Sequence, residues 1–562
     1  MQLRFIVCFL LVYGPTACSG LPDRHTLEDP KYVPHYLFVD RDGYAKKTDG
    51  AGMNKADLKD HLQAYFFKDL AQHLKTLRSK CDAGDCQPMR LLIYIHGGMN
   101  GYNTAFERMR RLLHDDAPGS IPKGLLNSAH TSYYPFFINW NSEPIDSMID
   151  DLFNVRFGER QSPGITLPTM PFVLLGRMAG SLGGLPVSLA AMGSNIQEAF
   201  AGAVEQGDGI GCAIGDVIAY APAFPLYAVT APLLEGFGTP AWAIMKRRAE
   251  LAAGSRLPEG SVSSEGAART FFEETIRYLQ SIQQLDTDGN RGKPAIPVRL
   301  TLVGHSMGTM ILNRLLPAIE TMLPPPQTDQ VTLQHIVYLA AAAPIDELDQ
   351  MLVPFLKERL PKENLLPEKQ KTNFWMFDLN RRDEAREVAL NGWAFIMPRG
   401  TLLAWIDTFF ESSTTVGQKT QGRIENMNRF YRCDLTPNGE DQSGCPPSAE
   451  STPLAPSARG EKPFSGFSER ELVSTAPFPH TQVRLFETSR KLGHNNAPET
   501  HGDFSQSRYL GQALCQVESE AFQPDICRKT LRDFDPPLRR EDNRRVCGVK
   551  TPFKGPDYEV YK

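Results

Sequence analysis

The 562-residue sequence lacks the features that mark a nucleic-acid-binding or a membrane-spanning chain. It has no block of basic residues and carries a net charge of −5, so it has no electrostatic footprint for nucleic acid. Residues 217–234 carry no charge but contain three prolines, which we expect to interrupt a helix. Because a bilayer-spanning helix needs about 20 apolar residues with intact backbone hydrogen bonds, none is predicted.

The cysteines argue against a metal centre. No two of the ten cysteines form a C-x-x-C pair, so no structural zinc site is predicted. Beyond residue 18 there are eight: Cys81, Cys86, Cys212, Cys433, Cys445, Cys515, Cys527 and Cys547. An even set in an exported chain predicts disulfides, and the spacing would allow 81 with 86, 433 with 445 and 515 with 527. The pairing stays open.

The N-terminus predicts export. Residues 1–17 combine an early arginine with an apolar stretch too short to span a bilayer, as in a signal peptide. The segment ends in Pro-Thr-Ala-Cys18, which resembles the lipobox of bacterial lipoproteins, with Pro15 in place of the usual leucine. The resemblance implies a lipid anchor on Cys18 and, with Ser19 next, an outer-membrane or periplasmic-face location. Ordinary cleavage to a soluble periplasmic or secreted protein is the alternative.

The most informative stretch is residues 298–316. An apolar run predicts a buried strand, Gly-His-Ser-Met-Gly follows at 304–308, and helical spacing follows that. This is the context of a nucleophile elbow, in which a sharp turn between strand and helix presents a serine at the carboxyl edge of a sheet. We therefore expect Ser306 to be a nucleophile presented at that edge. A tight structural turn is the alternative.

A second strand, at 91–95, ends in His-Gly-Gly at 96–98. In acyl-transfer enzymes with an elbow of this kind, such a loop supplies one backbone N–H to the oxyanion hole, and the residue after the nucleophile supplies the other. We expect those donors to be Gly98 and Met307. His96 is expected to support the loop rather than to act as a base.

Nucleophilic serine needs an imidazole to take its proton and a carboxylate to orient that imidazole. His501 lies beyond the last predicted strand and is the expected base, with His494 and then His480 as alternatives. Asp383, shortly after the predicted strand 373–377, is the expected acid. Asp346, after the strand before it, is the alternative, and Asp378 is expected to cap its strand.

Alternating strands and helices predict an α/β fold with a mostly parallel sheet and helices on both faces. The expected organisation is a signal peptide at 1–17, core at 18–142, a large apolar insertion at 143–260, core at 261–433, a flexible excursion at 434–470, and the last core part with a tail at 471–562. The insertion is interpreted as a cap over the site, a surface that contacts lipid, or both.

Taken together, these motifs resemble the α/β-hydrolase superfamily, in particular a bacterial branch of esterase- and lipase-like proteins. The resemblance covers roughly residues 88–142, 265–390 and 480–515, and leaves out the insertion and the excursion. It implies a serine esterase or lipase with Ser306, Asp383 and His501 as the triad, and it implies no cofactor or metal. The expected partners are an acyl ester or lipid and the membrane. An amidase or peptidase with the same triad, or a non-catalytic envelope lipoprotein, is the alternative.

Overall fold

The computed structural model is built around a long, mostly parallel sheet. The structure describes residues 21–82, 87–98, 100–113, 133–156, 159–162, short stretches between 164 and 214, and then 224–254, 266–289, 296–325, 330–363, 366–367, 371–386, 400–411, 413, 415, 417–427, 467–470, 483–488, 501–505 and 507–517. The strands are β1 Tyr36–Val39, β2 Ala45–Lys46, β3 Gly52–Met53, β4 Met89–Ile95, β5 Tyr133–Trp140, β6 Val155–Arg156, β7 Glu159–Arg160, β8 Val298–His305, β9 Val331–Leu339, β10 Asn373–Asp378, β11 Phe467–Arg470 and β12 Val483–Thr488.

Helices connect most of these strands. Those that we number are α1 Lys55–His61, α2 Lys68–Asp82, α3 Tyr102–Leu113, α4 Pro144–Phe153, α5 Phe224–Ala253, α6 Ala267–Gly289, α7 Gly308–Met322, α8 Val353–Glu363, α9 Arg381–Arg386 and α10 Ser507–Val517. Shorter helical turns are Arg24–Leu27, Val33–His35, Leu62–Phe67, Ile345–Glu347, Leu348–Leu352, Leu402–Trp405, Ile406–Phe410 and His501–Ser505.

The strand order places a reversal at the centre of the sheet. Ten described strands follow the order β11-β12-β10-β9-β8-β4-β5-β1-β2-β3. From β12 to β1 all neighbours are parallel, and antiparallel pairs occur only towards the two ends. After β4 the chain moves to β5 on one side, whereas β8, β9 and β10 extend the sheet on the other. Ligands of open α/β sheets bind at the carboxyl ends of strands at such a reversal, so the crevice between β4 and β8 is the expected place for a site.

The burial pattern agrees with the predicted α/β class. Every residue of β4, β5 and β10 is buried, which requires cover on both faces of the sheet, as is usual for parallel sheets. One hydrophobic cluster extends from Leu27 to Val517. Segments far apart in sequence therefore share a single core. The α/β fold with a mostly parallel sheet is confirmed.

The insertion departs from expectation in its last helix. Pro232 and Pro240 both lie inside α5, so the expectation that the proline at 232 interrupts a helix is wrong. An internal proline removes a backbone hydrogen bond and costs about 3 kcal/mol or more. Packing of α5 against α4, α7 and the turn Ile406–Phe410 offsets this cost. Within the described residues, no helix is both long enough and apolar enough to cross a bilayer.

The structure also bears on the excursion predicted at 434–470 and on the predicted disulfides. Within the predicted excursion at 434–470, β11 pairs antiparallel with β12, so this end of the excursion is part of the sheet. The pairing satisfies backbone groups that β12 would otherwise expose at an edge. Residues 434–466 lie outside the described part of the chain. Cys81 and Cys515 are both disulfide-bonded, as the even cysteine set predicts, and the pairing stays open.

Candidate active site

Ser306 occupies the predicted sharp turn between β8 and α7. Its φ is 51°, a conformation that costs a residue with a side chain roughly 1–3 kcal/mol. Neighbouring backbone groups hold it there: the N–H of Ser306 donates to the carbonyl of Leu339 at 2.9 Å, and its own carbonyl accepts from the N–H of Ala342 at 3.1 Å. Such strain at a turn persists only where the surrounding structure imposes it.

The two glycines of the motif are required by close packing. A Cβ on Gly304 would lie 3.0 Å from Cα of Thr309, and one on Gly308 would lie 2.8 Å from the carbonyl oxygen of His96 and closer still to that of Ile95. Strand, helix and the loop after β4 therefore approach one another more closely than side chains at 304 and 308 would permit.

His501 lies beside the serine. It begins the turn His501–Ser505, and its Nε2 is 2.8 Å from Oγ of Ser306. Burial lowers the pKa of His501 to about 4, so the imidazole is neutral at neutral pH. A neutral ring whose Nε2 accepts from the hydroxyl is in the state required to remove its proton.

Hydrogen bonds to the Gly97 carbonyl fix the orientation of the peptide that carries the predicted Gly98 donor. The carbonyl of Gly97 accepts from Nδ1 of His96 at 2.6 Å, Nδ2 of Asn100 at 3.1 Å and Oγ of Ser142 at 3.1 Å. Because the C=O and N–H of a trans peptide point in opposite directions, the N–H of Gly98 is directed away from this polar cluster.

The two predicted oxyanion donors are neighbours. A Cβ on Gly98 would lie 2.5 Å from Sδ of Met307. Met307 is the N-cap residue of α7, where the first backbone N–H groups of a helix lack intrahelical acceptors and carry a partial positive charge. The two residues predicted to supply oxyanion donors therefore lie next to each other at the crevice between β4 and β8.

His96 supports this loop. Its Nε2 accepts from the backbone N–H of Trp140 at 2.9 Å, and its carbonyl accepts from the indole N–H of the same residue at 2.9 Å. Burial lowers the pKa of His96 to about 4, so the ring stays neutral and can donate through Nδ1 while accepting through Nε2. These contacts fit the expected supporting role.

The predicted acid, Asp383, lies at the expected carboxyl edge of the sheet, but its carboxylate bonds Asn380. Asp383 accepts from Nδ2 of Asn380 at 2.5 Å, and its N–H donates to Oδ1 of Asn380 at 3.0 Å. Asn380 in turn bonds Thr488, the last residue of β12. Among the described residues, no hydrogen bond or ion pair joins Asp383 to His501, so the structure brings together two of the three predicted triad residues.

The alternative candidates have other surroundings. The N–H of Asp346 donates to the carbonyl of Gly417 at 2.8 Å, and burial raises the pKa of its carboxyl group. Asp378 is fully buried at the end of β10. His494 and His480 lie outside the described residues.

One residue that sequence reasoning did not single out contacts the expected base. Nε2 of His305 lies 3.4 Å from the carbonyl of His501, and the two rings are 5.5 Å apart. Burial holds the pKa of His305 well below its usual value, so it is neutral. The sequence signal for a role of His305 is its position immediately before the predicted nucleophile.

The site is closed in this structure, contrary to expectation. Ser306 is 1% exposed and His501 5% exposed, whereas the sequence predicts a hydroxyl presented at the sheet edge. The hydroxyl does lie at that edge, but the turn that carries His501 and the loop after β4 lie against it.

Comparison with known proteins adds little. A scan against protein-family models finds no match, and a search of curated proteins finds none. A crystal structure of an uncharacterized protein from Pseudomonas aeruginosa is similar, with 12% sequence identity and a TM-score of 0.23, over 61% of this chain and 41% of that one. This chain thus matches less than half the length of that protein, and the likeness carries no argument about function.

Proposed function

We propose that this protein is a serine hydrolase of the α/β-hydrolase type that cleaves carboxylic esters. The observation that carries the proposal is the 2.8 Å separation between Nε2 of His501 and Oγ of Ser306. It occurs at a positive-φ turn beside Gly98 and Met307, the residues proposed to donate to the oxyanion. A buried serine in an ordinary tight turn needs neither the imidazole nor the donors.

In the proposed reaction, Oγ of Ser306 attacks the ester carbonyl while Nε2 of His501 takes its proton. The carbonyl oxygen becomes an oxyanion and accepts from the N–H groups of Gly98 and Met307. The intermediate collapses with loss of the alcohol, which takes the proton from His501, and leaves an acyl-serine. Water then repeats the sequence and releases the acid. Asp383 is the proposed carboxylate that stabilises the imidazolium.

An apolar acyl ester or lipid is the proposed substrate class. Between residues 164 and 182 of the insertion, four large apolar side chains face solvent: Ile165, Phe172, Leu175 and Leu182, at 52%, 76%, 64% and 64% exposure. These side chains lie in the helical stretches 164–166, 168–173, 175–177 and 179–182. Exposed apolar surface of this kind suits contact with lipid, and a lipid anchor on Cys18 at the periplasmic face would bring the protein to a membrane.

The test is labelling with a fluorophosphonate followed by location of the modified residue. We expect the wild-type protein to be labelled at Ser306, Ser306→Ala and His501→Gln to take no label, and Ser281→Ala, at an exposed position on α6, to label normally. A panel of esters of rising chain length against anilides then separates an esterase from an amidase. Folded wild-type protein that takes no label would reject the enzyme and favour a non-catalytic envelope lipoprotein, the reading that the 1% exposure of Ser306 supports.

A further inference from the structure

A segment outside the α/β-hydrolase resemblance returns to the catalytic edge of the sheet. We define it as the rim strap, residues 401–411 and 417–427. The N–H of Gly422 donates to the carbonyl of Ala341 at 2.6 Å, next to the residue whose N–H bonds the carbonyl of Ser306. Arg423 forms a parallel bridge with Leu379, immediately beyond β10. The rim strap therefore pairs with the ends of both β9 and β10.

Asp407 gives the rim strap a fixed internal shape. Its carboxylate accepts from the N–H of Thr420 at 2.7 Å, from Nη1 of Arg423 at 3.1 Å and from Nδ2 of Asn426 at 2.7 Å. Asn426 also donates to the carbonyl of Thr420 at 2.9 Å. Three charge-assisted hydrogen bonds on one buried carboxylate make this part of the strap a rigid unit.

Two ion pairs join that unit to the helix that carries Asp383. Nε of Arg423 lies 3.6 Å from Oε2 of Glu384, and Nη2 of Arg381 lies 3.3 Å from Oε2 of Glu425. The four side chains are between 1% and 15% exposed. Water therefore screens these pairs much less than it screens surface pairs. Glu384 is the residue directly after Asp383, so the rim strap is paired with α9 beside the predicted acid.

We propose that Arg423 and Glu425 are positioning residues that hold the turn of the predicted acid Asp383 for the reaction at Ser306 and His501. The inference rests on the proposed function. It gives a role to the long stretch of sequence between Asp383 and His501, because part of that stretch packs against the helix that carries the acid. A purely structural role for the same ion pairs would affect stability alone.

The amino end of β10 offers a matched control. Arg359 pairs with Glu363 at 2.8 Å and with Glu320 at 2.8 Å, and Glu363 accepts from the N–H of Thr372, just before β10. This Arg–Glu cluster is as buried as the pairs Arg423–Glu384 and Arg381–Glu425, which we call the clamp, but it lies at the amino edge of the sheet. Its loss should cost stability without disturbing the site.

The experiment compares Arg423→Gln, Glu425→Gln and Arg381→Gln with the control Glu363→Gln. Turnover is expressed per active site that takes the fluorophosphonate label, so unfolded protein does not count. We expect kcat of the clamp variants to fall about tenfold to a hundredfold with little change in KM, the effect that misplacing a catalytic group by about an ångström produces. The double exchange Arg381→Glu with Glu425→Arg should recover part of the loss, and the control should match the wild type.

The pH profile supplies a readout that stability cannot mimic. The proposed role of Asp383 requires its carboxylate to reach His501 during the reaction, where it would raise the pKa of the imidazole. The base must be neutral to act. Loss of the carboxylate lowers that pKa, so the acid limb of kcat/KM should move to lower pH in the clamp variants and stay in place in Glu363→Gln. His305 does not interfere, because burial holds its pKa well below its usual value.

Each outcome separates the two proposals. An active wild type whose clamp variants keep its kcat per labelled site and its acid limb overturns the positioning role and leaves the hydrolase intact. A wild type that neither labels nor turns over esters overturns both. Clamp variants that are less stable but keep the wild-type turnover per labelled site also overturn the positioning role.

Discussion

At the residue scale, the site depends on how closely three backbones approach. A Cβ on Gly97 would lie 2.6 Å from Cβ of Ser306 and 2.8 Å from Nδ1 of His305. Glycine is therefore needed at 97 for space rather than for an unusual φ. A larger residue at 97 would therefore push the loop after β4 away from His305 and Ser306.

We expect Gly97→Ala to displace the loop that carries the Gly98 donor. Removing one oxyanion donor costs roughly 3 kcal/mol in the barrier, so kcat should fall by about a hundredfold. The measurement is steady-state turnover of a soluble short-chain ester.

Gly52→Ala is the control, because a Cβ there has nothing within 4 Å. It should leave turnover unchanged. If Gly97→Ala keeps wild-type kcat, the loop does not contribute to the transition state.

At the scale of elements, α5 of the insertion is attached to the rim strap. Glu411 accepts from Nε1 of Trp242 at 2.6 Å and from Nζ of Lys246 at 2.6 and 2.7 Å. The ring of Phe410 occupies the space beside Gly238, where a Cβ would overlap it. These contacts must loosen if the rim strap has to move for a substrate to reach Ser306.

We expect Glu411→Gln to increase the rate of fluorophosphonate labelling at Ser306. The exchange removes the ion pair with Lys246, and a partly exposed pair of this kind contributes about 1 kcal/mol, which corresponds to a rate increase of about fivefold.

Glu358→Gln breaks the exposed pair with Lys362 on α8 and should leave the labelling rate unchanged. Equal rates for wild type and Glu411→Gln would show that the strap does not control access.

At the scale of the molecule, the two expected membrane contacts leave the sheet at opposite edges. Leu21, the first described residue, lies against Gly50 in the turn between β2 and β3, at the amino edge of β1. The insertion begins at the carboxyl end of β5. A lipid anchor on Cys18 and the apolar side chains of the insertion can therefore be tested as separate contacts.

In a Cys18→Ser background, which removes the predicted anchor site, we expect Phe172→Ser with Leu182→Ser to weaken binding to phospholipid vesicles. Burying each side chain in lipid contributes roughly 1.5–3 kcal/mol, so replacing both should weaken binding by at least about a hundredfold.

Tm should change little, because both side chains are exposed. The measurement is vesicle co-sedimentation, with turnover of a soluble ester as the control. Unchanged vesicle binding would reject the insertion as a lipid contact.

Several features could be predicted because they follow from local pattern. The apolar runs that became β4, β8 and β10, the elbow around Ser306 and the α/β class follow from periodicity and glycine placement. The position of His501 after the last strand predicts its role, because strand ends of a parallel sheet meet at one edge. Pro232 was misread, because packing of α5 outweighs the cost of a proline within a helix.

The sequence by itself determined the residue types, the strands that carry them and the edge at which they meet, since these depend on neighbours along the chain. Only the tertiary structure decided that His501 lies 2.8 Å from Ser306, that the site is closed, and that Asp383 bonds Asn380 in this state. Those properties depend on contacts between segments far apart in sequence, which no local pattern encodes.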